Sequence, residues 1–85
     1  MKTRSHNYGT KNIVGKKIET LRKERNISQK DFIARLQVAG LDINPTSYSK
    51  LEGQVRIATD KEINIIAKVL NVPLEEIFNE INDIR

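Results

Sequence analysis

The chain has no cysteine and a single histidine, His6, among its 85 residues. The missing cysteines exclude a disulfide framework, thiolate catalysis and zinc sites built on sulfur, and one histidine cannot form a histidine-based metal site. No metal and no other cofactor is expected. No segment approaches the roughly 20 apolar residues that a membrane-spanning helix needs, and residues 1–12 are too polar for a secretory signal. The expectation is a cytoplasmic chain without membrane contact. Alternating apolar and polar runs, the mark of half-buried strands, are lacking, as are internal repeats and low-complexity tracts. The acids fall mostly at helix ends or in exposed positions, and His6 lies in a polar leader, so no catalytic residue is assigned and no enzyme is expected.

What is present suffices for one domain: 85 residues with 38% hydrophobic content can bury one core, not two. Charge is divided unevenly along it. Residues 1–56 hold twelve Lys or Arg against five Asp or Glu, a net +7, whereas residues 57–85 hold three against six, a net −3. A basic two-thirds beside an acidic third suggests a polyanion partner for the first and a different task for the second.

Residues 1–11, with Gly9 and no apolar periodicity, read as a flexible basic arm, leaving 12–85 as the folded domain. From about Asn12 to Arg25, Val14, Ile18 and Leu21 recur at helical spacing, and Asn26 is a left-handed stop. Ser28 offers an N-cap to a second helix, with Asp31 three residues on, and Phe32, Ile33 and Leu36 form its inner face. Gly40 ends it. Leu41 and Ile43 anchor the connector, and Asn44 with Pro45 forms an N-cap and first helical position for a short helix over about 45–52. There Tyr48 and Leu51 point inward, leaving Thr46, Ser47, Ser49 and Lys50 as an unusually polar outer face. Gly53 breaks the chain. Thr59 and Glu62 form a capping box for a fourth helix with Ile63, Ile66, Ala67 and Leu70 inside. Asn71 closes it, Pro73 opens a fifth, and Leu74, Ile77, Phe78, Ile81 and Ile84 continue the apolar stripe. The fold class expected is all-α, a compact five-helix domain.

The run from Ser28 to Gly53 is helix, turn, helix. Here the sequence resembles the Cro and lambda-repressor type helix-turn-helix regulators, the Xre family, over residues 13–78. The pieces that carry the likeness are IxxLRKERNISQKDFIARL, YSKLEG and DKEINIIAKVLNVPLEEIF. The resemblance implies a lambda-repressor-like DNA-binding domain, bacterial or phage and nucleoid-associated, acting as a transcriptional repressor with the 45–52 helix in the major groove of double-stranded DNA. It implies base readout by Asn44, Thr46, Ser47 and Lys50, phosphate contacts from Ser28, Gln29, Lys30, Gln54 and Arg56, and an architectural ion pair between Arg22 and Glu52. Gln29 would also brace the reading helix. Lysine can donate to guanine O6 or N7 and a threonine methyl can touch that of thymine. Two features depart from the family. The stretch QVAGLDIN makes the inter-helix turn longer by roughly five residues, as in one subgroup, and Pro45 replaces a residue that in relatives often donates to the DNA.

Ile77, Ile81 and Ile84 exceed what a core of this size needs and are the candidate seam of a homodimer, which would place two reading helices on an inverted-repeat operator. The competing reading is an antitoxin-like or other interaction module whose main partner is a protein, with the acidic last third as its surface.

Overall fold

The computed structural model describes residues 9–78, which form five helices: α1 (Gly15–Glu24), α2 (Gln29–Val38), α3 (Pro45–Glu52), α4 (Asp60–Leu70) and α5 (Leu74–Phe78). No strand occurs among the described residues. The first four helices end in the same way. A residue in the left-handed region follows each: Asn26 (φ 58°), Gly40 (φ 104°), Gln54 (φ 62°) and Asn71 (φ 61°). The next residue then donates its N–H back across the last turn, Ile27 to Arg22 O, Leu41 to Leu36 O, Val55 to Lys50 O and Val72 to Ala67 O. This is the Schellman arrangement, which satisfies carbonyls left over at a helix end and sends the chain away at a fixed angle. Asn26, Gly40 and Asn71 are the stops expected from sequence. After α3 the left-handed residue is Gln54, because Gly53 itself stays right-handed at φ −78°.

The N-termini follow their sequence signals. Ser28, Asn44 and Thr59 each accept a backbone N–H three residues on, from Asp31, Ser47 and Glu62. Glu62 returns the bond to the Thr59 N–H and completes a capping box. Pro45 occupies the first turn of α3, where its lack of an N–H costs nothing.

One apolar cluster joins all five helices: Val14, Ile18 and Leu21 of the first segment, Phe32, Ile33 and Leu36 of α2, Tyr48 and Leu51 of α3, Ile66, Ala67 and Leu70 of α4, and Ile77 of α5. The connectors contribute Ile27, Leu41 and Ile43. The Phe32 and Tyr48 rings meet edge to face, with centroids 5.7 Å apart, fixing α2 against α3. Lys17 and Glu76 pair at 3.3 Å between α1 and α5.

Four expectations are corrected. First, α1 begins at Gly15 and not at Asn12. Second, the arm does not extend to residue 11: the N–H groups of Gly9 and Lys11 donate to Gly53 O (2.7 Å) and Gln54 O (2.9 Å). Residues 1–8, including His6, lie outside the described residues. Third, the inner stripe of α5 is narrower than the sequence suggests, because Leu74 and Phe78 are 45% and 40% exposed while Ile77 is fully buried. Fourth, that burial removes Ile77 from the candidate dimer seam, since a core side chain has no surface to offer a second copy. Ile81 and Ile84 lie outside the described residues.

Candidate nucleic-acid interface

The short helix α3 is held from inside by one carboxylate. Glu52, only 3% exposed, accepts from Arg22 Nε at 2.7 Å, Arg22 Nη2 at 3.2 Å, Gln29 Nε2 at 3.1 Å and the Tyr48 hydroxyl. Arg22 spends a further donor on Ile27 O at 2.7 Å. A buried ion pair stabilises only when its remaining donors and acceptors are matched, and here no buried side-chain polar atom lacks a partner among the described residues. Burial opposes the charge on Arg22, but the hydrogen bonds and charge of Glu52 outweigh it and hold the guanidinium above its ordinary value. Burial first, and then the Glu52 carboxylate, push the Tyr48 phenol well above its ordinary range. Tyr48 therefore remains a neutral donor, and α3 is locked to α1 and α2 in a single rotation about its axis.

With Tyr48, Leu51 and Glu52 turned inward, the helical period leaves Thr46, Ser49 and Lys50 exposed and Ser47 half-buried. Thr46 and Lys50 are one turn apart and share a face. Asn44, also exposed, uses Oδ1 on the Ser47 N–H at 2.8 Å, so its amide hydrogens are the groups left to face a ligand. Ser49 donates to Gln29 Oε1 at 3.1 Å, joining the outer face of α3 to the start of α2. An open groove of about 530 Å³ lies between these two helices, lined by Gln29, Lys30, Ile33, Ala34, Gln37 and Pro45. Gln37 also donates to Ile43 O at 2.9 Å, so part of the lengthened turn is an extension of α2 that pins the connector.

A polar helix locked behind a helix and a turn is the arrangement of a helix-turn-helix reader, and comparison with known families agrees: the helix-turn-helix family model matches residues 18–77. The chain belongs to the Xre and lambda-repressor type helix-turn-helix family. This is a family of DNA-binding transcription regulators. No curated protein and no solved structure matches the chain.

Within this helix-turn-helix regulator, the residues expected on phosphate divide into two groups. Ser28 and Lys30 are exposed at the start of α2, and Gln29, half-buried, braces Glu52 and Ser49. The Ser28 hydroxyl accepts from the Asp31 N–H and keeps its own hydrogen. Gln54 and Arg56 are different. Gln54 Nε2 is turned back onto Asn12 O at 2.7 Å. Arg56 donates to Ser47 O (3.0 Å), Ile57 O (2.7 Å) and both oxygens of Glu62 (3.0 and 2.8 Å), so four of its N–H groups are engaged within the domain. Through these bonds Arg56 ties the middle of α3 to the cap of α4. Burial acts to raise the Glu62 pKa, but the Arg56 hydrogen bond and the Thr59 N–H outweigh it and hold the carboxyl below the usual carboxylate range.

Sequence reasoning missed Asn12. Its Oδ1 accepts from the Val14 and Gly15 N–H groups at 3.0 and 2.8 Å, and its Nδ2 donates to Leu51 O and Arg56 O at 3.1 and 2.8 Å. It also missed Gly15, where a Cβ would overlap the Leu51 carbonyl oxygen and lie 2.6 Å from that of Glu52. The signal available was an asparagine followed three residues later by a glycine at a helix start.

Among the described residues no helix is long and apolar enough to cross a membrane.

Proposed function

We propose that this regulator is a repressor that binds double-stranded DNA sequence-specifically by setting α3 into the major groove. The observation that carries the reading is the locked rotation of α3, whose outward side is polar and exposed while its inward side is fixed by the Glu52 network. Thr46 and Lys50 are the principal readers, through the threonine methyl and hydroxyl and the lysine ammonium. Asn44 contributes its amide hydrogens and Ser47 its hydroxyl. Ser28, Gln29 and Lys30, at one end of the α2–α3 groove, contact phosphate and set the register of α3. Arg56 and Gln54 act on DNA indirectly, by holding α3 and its following loop.

A two-fold homodimer fits this reading, with reading helices in successive major grooves roughly 34 Å apart and an inverted-repeat operator. The outward Leu74 and Phe78 of α5 give apolar area for such a contact, or for a protein partner in an antitoxin-like role.

Selection of bound duplexes from random DNA tests the proposal. The expected product is a single inverted-repeat motif bound at least about a thousand-fold more tightly than unrelated duplex. Recovery of no shared motif, with equal affinity for all duplexes, contradicts it.

A further inference from the structure

Residues 9–12 form a strap across the C-terminal end of the reading helix. The N–H groups of Gly9 and Lys11 donate to Gly53 O and Gln54 O, and Gln54 Nε2 donates back to Asn12 O at 2.7 Å. Asn12 uses its whole side chain. Its Oδ1 accepts from the two N–H groups that open α1, and its two Nδ2 hydrogens go to Leu51 O, inside α3, and Arg56 O, beyond it. Leu51 O lies in the last turn of α3 and also accepts the Gln54 N–H at 3.0 Å, so Asn12 adds a second donor there and ties the same amide group to Arg56 O.

Space at the crossing is confined to suit this contact. A Cβ on Gly9 would overlap the Gln54 carbonyl oxygen and lie 2.9 Å from Val55 Cγ1, and one on Gly15 would meet the Leu51 and Glu52 carbonyls. The strap also connects to the reading face. Asn12 fixes the Arg56 main chain, and the Arg56 side chain holds the Ser47 carbonyl at 3.0 Å, next to Thr46.

From this geometry we infer that Asn12 is a positioning residue for DNA reading: its amide sets the end of α3 and, through Arg56, the placement of Ser47 and Thr46 against the bases. The inference rests on the proposed reading of DNA by α3. The asparagine carboxamide meets both demands at once. Aspartate and serine keep an acceptor for the start of α1 but lack the paired N–H donors for Leu51 and Arg56.

The test uses the full chain with Asn12→Ser and Asn12→Asp. Each variant is measured at a temperature where circular dichroism shows it fully folded, on the duplex selected by the wild type and on a scrambled duplex. The readout is the ratio of the two affinities, which a purely structural cap would leave unchanged and which cancels the added charge of aspartate. The expected result is a fall in that ratio of about ten-fold for both variants, comparable to losing one base contact. An unchanged ratio in the folded variants overturns the inference. If neither variant folds, Gly9→Ala, which displaces the strap ahead of α1 and the core, is expected to fold and to show the same fall, and an unchanged ratio there overturns it equally. A wild type that prefers no duplex defeats the reading of DNA by α3 itself, a result distinct from either.

Discussion

Lys50 and Glu52 stand two positions apart on α3 and meet opposite environments, one in solvent and the other 3% exposed. For Lys50→Ala, a base contact predicts relaxed preference at one operator position and a cost of about 1–3 kcal/mol, measured by competition with singly mutated duplexes. Uniform weakening on every duplex would instead make Lys50 a phosphate contact. For Glu52→Gln, Arg22 is left as a buried charge without its counterion, and urea unfolding is expected to lose about 3–5 kcal/mol with little change in slope. An unchanged midpoint would mean that the pair carries no structural task. At this scale the sequence was informative where a side chain acts locally. Asn44, Ser28 and Thr59 were legible as caps because their partners lie three residues away. Arg22 and Glu52 were legible only through family resemblance. Asn12 was hidden because its donors reach residues 39 and 44 positions on, which no local pattern records.

The helices themselves were largely legible, since apolar spacing and stop residues agree at nearly every boundary. The departures occur where tertiary contact overrides local preference. Gln54 takes the left-handed conformation in place of the adjacent Gly53, and its side chain bonds to Asn12 O in that position. Leu74 and Phe78 match an inner stripe by hydropathy, yet only Ile77 meets the core, because a helix this short presents few residues inward. The cap of α4 carries a pH dependence. Glu62 has a folded pKa below its unfolded value, so its contribution to stability is present above the ordinary glutamate pKa of about 4.3 and is lost as pH falls through the lower folded value. Urea denaturation between about pH 5 and 3 should therefore lose stability more steeply in the wild type than in Glu62→Gln. Equal slopes would show that the Arg56 pair does not shift the titration.

Across the whole molecule, net charge of +7 over residues 1–56 and −3 over 57–85 places the basic share on the chain that contains α1 to α3. Composition pointed to this division, while the surfaces that result from it depend on the fold. If a dimer makes four to eight phosphate contacts, log affinity should fall with log salt with a slope of about −4 to −7. A slope near zero would exclude phosphate contacts by the basic residues of this part of the chain. The most direct test of DNA reading by α3 is a backbone amide chemical-shift map of the chain on addition of its selected duplex. The largest shifts should fall on Asn44 to Lys50, omitting Pro45, and on Ser28 to Lys30, with little change over the outer face of α4 at Lys61, Asn64 and Lys68. Shifts centred on Leu74 to Phe78, with α3 unmoved, would contradict it.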